Sequence, residues 1–142
     1  MQSRRTSFFV AAALACAVLA GGAGAGGTVS ADADASKPFL VKIHADWCGT
    51  CARMNPTFEA LEQKLGDQTR IVVLDVTDKE TVAASRSEAD RLGIRTFFDQ
   101  YKSRTGTVGV LRGDTRETVA LLSGETDVAR YEEVLKRARS AS

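Results

Sequence analysis

The chain has 142 residues, with 19 Lys or Arg against 18 Asp or Glu, a formal net charge of +1 and 44% hydrophobic residues. That length suits one domain with a buried core, since domains cluster at about 100–150 residues. The composition is neither that of a disordered chain nor of one that spans a membrane throughout. Near-neutrality without clustered Lys or Arg, together with one Trp and two Tyr, argues against a nucleic-acid footprint or a base-stacking surface.

Residues 1–25 have the pattern of an export signal peptide. Arg4 and Arg5 form a charged start, Phe8–Ala20 an apolar run, and Ala23-Gly24-Ala25 a small-residue cleavage site. The run is too short to span a bilayer comfortably, which takes about 20 residues, so no membrane span is expected in the mature chain. The expected location is therefore periplasmic or secreted. Cys16 sits inside the apolar run, and the preferred reading removes it with the signal. Lipid attachment at Cys16 is the alternative, but Ala13 stands where such a signal prefers leucine. Residues 26–37, rich in Gly, Ala, Ser and Asp without periodicity, are expected to be a flexible tether to a single domain over residues 38–142.

Phe39–Ala45 is a largely apolar strand candidate. After Cys48, Met54, Phe58, Leu61 and Leu65 recur at helical spacing, so one helix face packs inward. The two cysteines of Trp47-Cys48-Gly49-Thr50-Cys51 thus lie between a strand and a helix. If Cys48 starts the helix and Cys51 lies in its first turn, the sulfurs come within bonding reach. The leading thiol then faces unpaired backbone N–H groups that favour thiolate. A thiolate beside a resolving thiol is the equipment of thiol–disulfide exchange. The same spacing also serves zinc sites and simple staples. Zinc would need two further ligands, and beyond the pair the mature chain offers only His44 and carboxylates. No metal is expected, although two thiols could in principle take a soft ion such as Cu(I).

Farther on, Arg70–Asp75 is a second strand whose near-continuous apolar run suits burial on both faces. Thr77-Asp78-Lys79-Glu80 is a capping pattern opening a helix to about Leu92, which Gly93 ends. Thr96–Tyr101 forms a short extra helical turn in which Phe97, Phe98 and Tyr101 are expected as core cover. Thr107–Leu111 and Glu117–Leu122 make a hairpin around Gly113-Asp114. Asp127 caps a final helix with a stripe of Tyr131, Val134, Leu135 and Ala138.

Ala45-Asp46-Trp47-Cys48-Gly49-Thr50-Cys51 resembles the active site of the thioredoxin family, and Pro56 falls where that family has a helix-kinking proline. The resemblance implies an α/β thioredoxin-like fold, with about four strands in a mixed central sheet flanked by helices, trimmed at the N-terminus. It implies catalytic roles for Cys48 as attacking thiol and Cys51 as resolving thiol. Trp47, Gly49 and Thr50 would shape the surface that meets a partner.

Two positions depart from the family. Its usual buried acid, six positions before the first cysteine, is Lys42 here. Lys42 either snorkels its amine to the surface from a sheet edge or tunes the thiol pKa as a cation near the sulfurs. Asp75 on the next strand is a candidate partner for it. The family's cis-proline aligns with Gly106, between Thr105 and Thr107, where a trans peptide is expected because a cis bond without proline costs about 3 kcal/mol. Glycine there still permits close approach of a partner backbone.

The expected function is an exported thiol–disulfide oxidoreductase, without cofactor and monomeric. It would exchange disulfides with protein partners through Cys48 and Cys51 and be reset by an upstream redox partner. The alternative is a non-catalytic thioredoxin-like binding module with a permanent disulfide.

Overall fold

The computed structural model describes residues 36–140. The expected signal peptide, Cys16 and residues 26–35 of the expected tether lie outside these residues.

The sheet is centred on β1 (Phe39–His44), whose residues are buried except at His44. It pairs in parallel with β2 (Arg70–Asp75) and antiparallel with β3 (Thr107–Leu111), and β3 pairs antiparallel with β4 (Thr118–Ser123). The order β2-β1-β3-β4 makes the expected four-stranded mixed sheet. Helices α1 (Gly49–Leu65), α2 (Lys79–Leu92), α3 (Arg95–Tyr101) and α4 (Val128–Ser140) flank it.

Alternation along β1 divides the core. Phe39, Val41 and Ile43 pack with Ala89 of α2 and with Phe97, Phe98 and Tyr101 of α3. Leu40 packs with Met54, Phe58 and Leu61 of α1 and with Tyr131, Val134, Leu135 and Ala138 of α4. Because side chains two apart share a face, Lys42 lies on the Leu40 side, under α1.

β2 corrects one expectation. It is parallel to β1, but only Leu74 in it is buried and Val73 is 48% exposed. Its apolar run does not signal burial on both faces, because β1 is its one neighbouring strand among the described residues and it forms an edge.

The cap of α2 is also displaced. Asp78 is the N-cap, accepting from the N–H groups of Glu80 and Thr81, and Thr81 Oγ1 accepts from the Asp78 N–H. Thr77 is instead held by the Asp75 carboxylate through its N–H and its hydroxyl. Gly93 closes α2 in the left-handed region at φ 72°, as its lack of a Cβ allows. Phe97, Phe98 and Tyr101 are buried, as expected of core cover. The Asp127 carboxylate accepts from Ala129 N–H at the start of α4, whose expected stripe is buried.

Candidate active site

Cys48 is the N-cap of α1. Its backbone is extended (φ −86°, ψ 101°), so the chain turns into the helix at Gly49 and leaves the Cys48 side chain over the first turn. There Cys48 Sγ accepts from the N–H of Cys51 at 3.1 Å. The Cα atoms of Cys48 and Cys51 are 5.2 Å apart and the two sulfurs form a disulfide. Cys48 is 8% exposed and Cys51 fully buried, with its sulfur 3.7 Å from the carbonyl oxygen of Ile43. The arrangement gives one sulfur a path to solvent and a hydrogen-bond donor that would steady its thiolate.

The segment on the far side of the disulfide is Thr105-Gly106-Thr107. No peptide bond among the described residues is cis, and Gly106 has φ 80°. A Cβ at Gly106 would lie 3.9 Å from Cys48 Sγ and 3.1 Å from the Thr50 methyl carbon. Gly106 is fixed by its N–H to Ile43 O at 2.8 Å and by accepting the N–H of Gly124 at 3.0 Å. A Cβ on Gly124, itself at φ 63°, would also meet the Thr50 methyl at 3.1 Å. The methyl of Thr50 thus fits a slot between two glycines. The sequence reading missed Gly124, whose signal was a glycine at the end of the hairpin partner of the Gly106 strand.

Trp47 is 66% exposed beside Cys48, and its indole N–H donates to Thr77 O at 3.2 Å. Asp46 N–H donates to Thr77 Oγ1, so the Asp75–Thr77 turn holds the approach to the cysteines. Gly49 is exposed with open space around it.

Lys42 does not snorkel out. The residue is 2% exposed. Its Nζ donates to Asn55 Oδ1 at 2.8 Å and to the carbonyl oxygen of Cys51 at 3.2 Å, and lies 4.8 Å from the Phe58 ring centroid. The physical reason is that β1 is the second strand of the sheet rather than an edge, with α1 laid over this face. Asp75 is not its partner, because that carboxylate is taken by Thr77. Burial pushes the Lys42 amine below its ordinary pKa, since desolvation disfavours the charged form. Two oxygens and a ring face oppose that by stabilising an ammonium. A cleft of about 260 Å³ lies alongside, lined by Lys42, His44, Asn55, Phe58, Glu59, Glu62 and Val73. Among the described residues no three His, Cys, Asp or Glu side chains converge as a metal site.

The sequence model of the thioredoxin family matches residues 29–97, which include both cysteines and Lys42. Over those residues, just under half of the chain, it carries a domain of the thioredoxin family. Over 66 residues it is 40% identical to the chloroplastic thioredoxin Y of Oryza sativa subsp. japonica, covering 46% of this chain and 39% of that one. Over 44 residues it is 39% identical to the thioredoxin of Bacillus subtilis, covering 31% of this chain and 42% of that one. The chain thus spans less than half the length of these relatives. In fold it is similar to a thioredoxin-like protein solved in the oxidized form, with a TM-score of 0.51 at 16% identity, covering 75% of this chain and 80% of that one. This is a thioredoxin-like redox protein with its cysteine pair at disulfide distance.

Proposed function

We propose that the chain is an exported thiol–disulfide oxidoreductase acting on protein partners through Cys48 and Cys51. The observation that carries the reading is Cys48 at the N-cap of α1, its sulfur held by the Cys51 N–H and facing Gly106. In the reduced state the Cys48 thiolate attacks a partner disulfide. A Cys48–partner bond forms, the partner's own S–S bond breaks, and its second sulfur leaves as a thiolate that takes up a proton. Cys51 loses its proton and attacks Cys48 Sγ, which reforms the intramolecular disulfide and releases the partner's other thiol. Two electrons pass from this pair to the partner, and the reverse sequence oxidises a partner dithiol. An upstream dithiol or disulfide protein restores the pair, with no cofactor.

Trp47, Gly49 and Thr50 on one side of Cys48, and Thr105, Gly106 and Thr107 on the other, form the partner groove. Lys42 tunes the pair from beneath. Export is supported by the charged start, apolar run and small-residue site within residues 1–25. We place the mature chain in the periplasm or outside the cell, acting as a monomer. Among the described residues no helix is long and apolar enough to cross a membrane.

The test is a trap. Cys51→Ser leaves Cys48 able to form a mixed disulfide that cannot resolve. Partners captured at Cys48 and released by reductant are the expected result. No capture, with the Cys48→Ser control giving the same background, would overturn the reading.

A further inference from the structure

The match to the family's sequence model stops at residue 97, inside α3. The residues beyond it build a second feature beside Cys48. Tyr101, Arg104, Thr105 and Thr107 meet Leu121, Leu122 and Ser123 of β4 around a pocket of about 360 Å³. Tyr101, Leu121 and Leu122 give it an apolar side: Tyr101 is nearly buried, and Leu121 is 44% exposed. Thr105 and Thr107 bracket Gly106, so the pocket begins one residue from the backbone that faces Cys48 Sγ.

Its lining carries a single charge. Arg104 is exposed at the rim, and its guanidinium has no partner among the described residues; it is the one charged residue lining the pocket. Arg53, on the α1 side of the groove, donates to the Thr50 hydroxyl and to no carboxylate. Asp99, on α3, is engaged with Lys102, Arg95 and Arg86, and Glu125, next to Gly124 in the chain, with the N–H groups of Thr126 and Asp127. Among the described residues Thr105 also leaves its backbone N–H and carbonyl without a partner, whereas both groups of Gly106 are used. Such a peptide unit, beside a pocket with one apolar side and a cation at its lip, fits an extended chain that bears an apolar side chain and a carboxylate.

We propose that this pocket docks the partner protein. The occupant is an extended segment whose reactive cysteine is followed or preceded, within about two to four residues at a rise of about 3.3 Å each, by an apolar residue next to Asp or Glu. The apolar side chain enters between Tyr101 and Leu121, and the carboxylate meets Arg104. A rim charge of this kind acts mainly on encounter and selection among partners, and weakens with salt. The proposal names the partner class of the exchange reaction at Cys48 and rests on that reading.

The test uses the reduced protein and three peptide disulfides differing only near the cysteine: Leu-Glu, Leu-Lys and Ser-Glu. Each rate is divided by that protein's rate with the uncharged disulfide of 2-mercaptoethanol. At low ionic strength Leu-Glu should exceed Leu-Lys by about threefold, the scale of an exposed ion pair, and should also exceed Ser-Glu. Arg104→Glu should invert the Leu-Glu to Leu-Lys order, and Arg104→Gln should bring the two rates together. Equal rates for the three peptides, or an order that Arg104→Glu does not change, would sink the docking site while leaving the oxidoreductase reading intact. A wild-type protein that fails with the uncharged disulfide too would overturn both.

Discussion

The amine of Lys42 lies 3.2 Å from the carbonyl oxygen of Cys51, where the thioredoxin family usually has a buried acid. A cation there would attract thiolates and so stabilise the dithiol over the disulfide, which would raise the potential and make the pair a stronger oxidant. Lys42→Met keeps the apolar stem and removes the charge. Its potential should fall by about 20–60 mV, the equivalent of roughly 1–3 kcal/mol of lost attraction. Its Cys48 should also titrate at higher pH. Redox titration of both proteins checks this, and coincident potentials would show that the amine acts on packing alone.

The same lysine gives a signed pH dependence of stability. Its pKa is lowered by burial from the ordinary 10.5, so the unfolded chain binds its proton more readily than the fold does. Stability should therefore rise as pH increases through the lowered pKa and level off near the ordinary value. His44, Glu59 and Glu62, the other ionisable groups lining the cleft, are retained in Lys42→Met, which should lack only the lysine's rise. Urea unfolding of the oxidised proteins, in which neither Cys48 nor Cys51 titrates, separates the two curves.

Gly106 and Thr50 are predicted to be coupled. Gly106→Ala puts a Cβ at φ 80° and against the Thr50 methyl at 3.1 Å. The backbone part should cost about 1–2 kcal/mol. Adding Thr50→Ser removes the methyl and should recover about 0.5 kcal/mol or more, leaving the backbone cost in place. A double-mutant cycle in urea reads the coupling; strict additivity would mean that the slot does not constrain the loop.

Gly109 is needed for a different reason. Its backbone lies under the Phe97 ring, and a Cβ there would come within 2.2 Å of the ring edge. Gly109→Ala should displace α3 and cost about 1–3 kcal/mol, as overpacking does. A thermal midpoint equal to wild type would show that Phe97 moves freely.

The parts of this structure that are local were legible in the sequence. Helical periodicity after Cys48 and the largely apolar run Phe39–Ala45 located α1 and β1, and the cysteine spacing put the two sulfurs within bonding reach. What depended on neighbours in space was not. The apolar run of β2 predicted a strand buried on both faces, whereas its outer edge has no neighbour among the described residues. Lys42 carries no signal for its depth, because its burial comes from α1 lying over it, and Asn55 became its partner only through that packing. The Thr50 slot needed Gly106 and Gly124 brought together by the sheet.

Cys48 and Cys51 should differ sharply as thiols. In the reduced protein at mildly acidic pH, alkylation should label Cys48 about tenfold faster or more, since it alone has both exposure and the helix start. Equal labelling would remove the distinction between attacking and resolving thiol.

The most direct measurement is a redox titration of the wild-type pair in glutathione buffers, read by thiol trapping. Cys48 and Cys51 should exchange with glutathione and titrate together as a two-electron couple with a potential above about −300 mV, in the range of catalytic pairs. A disulfide that does not exchange, or one that stays oxidised below that potential, would make it a structural staple and contradict the assignment of this site to catalysis.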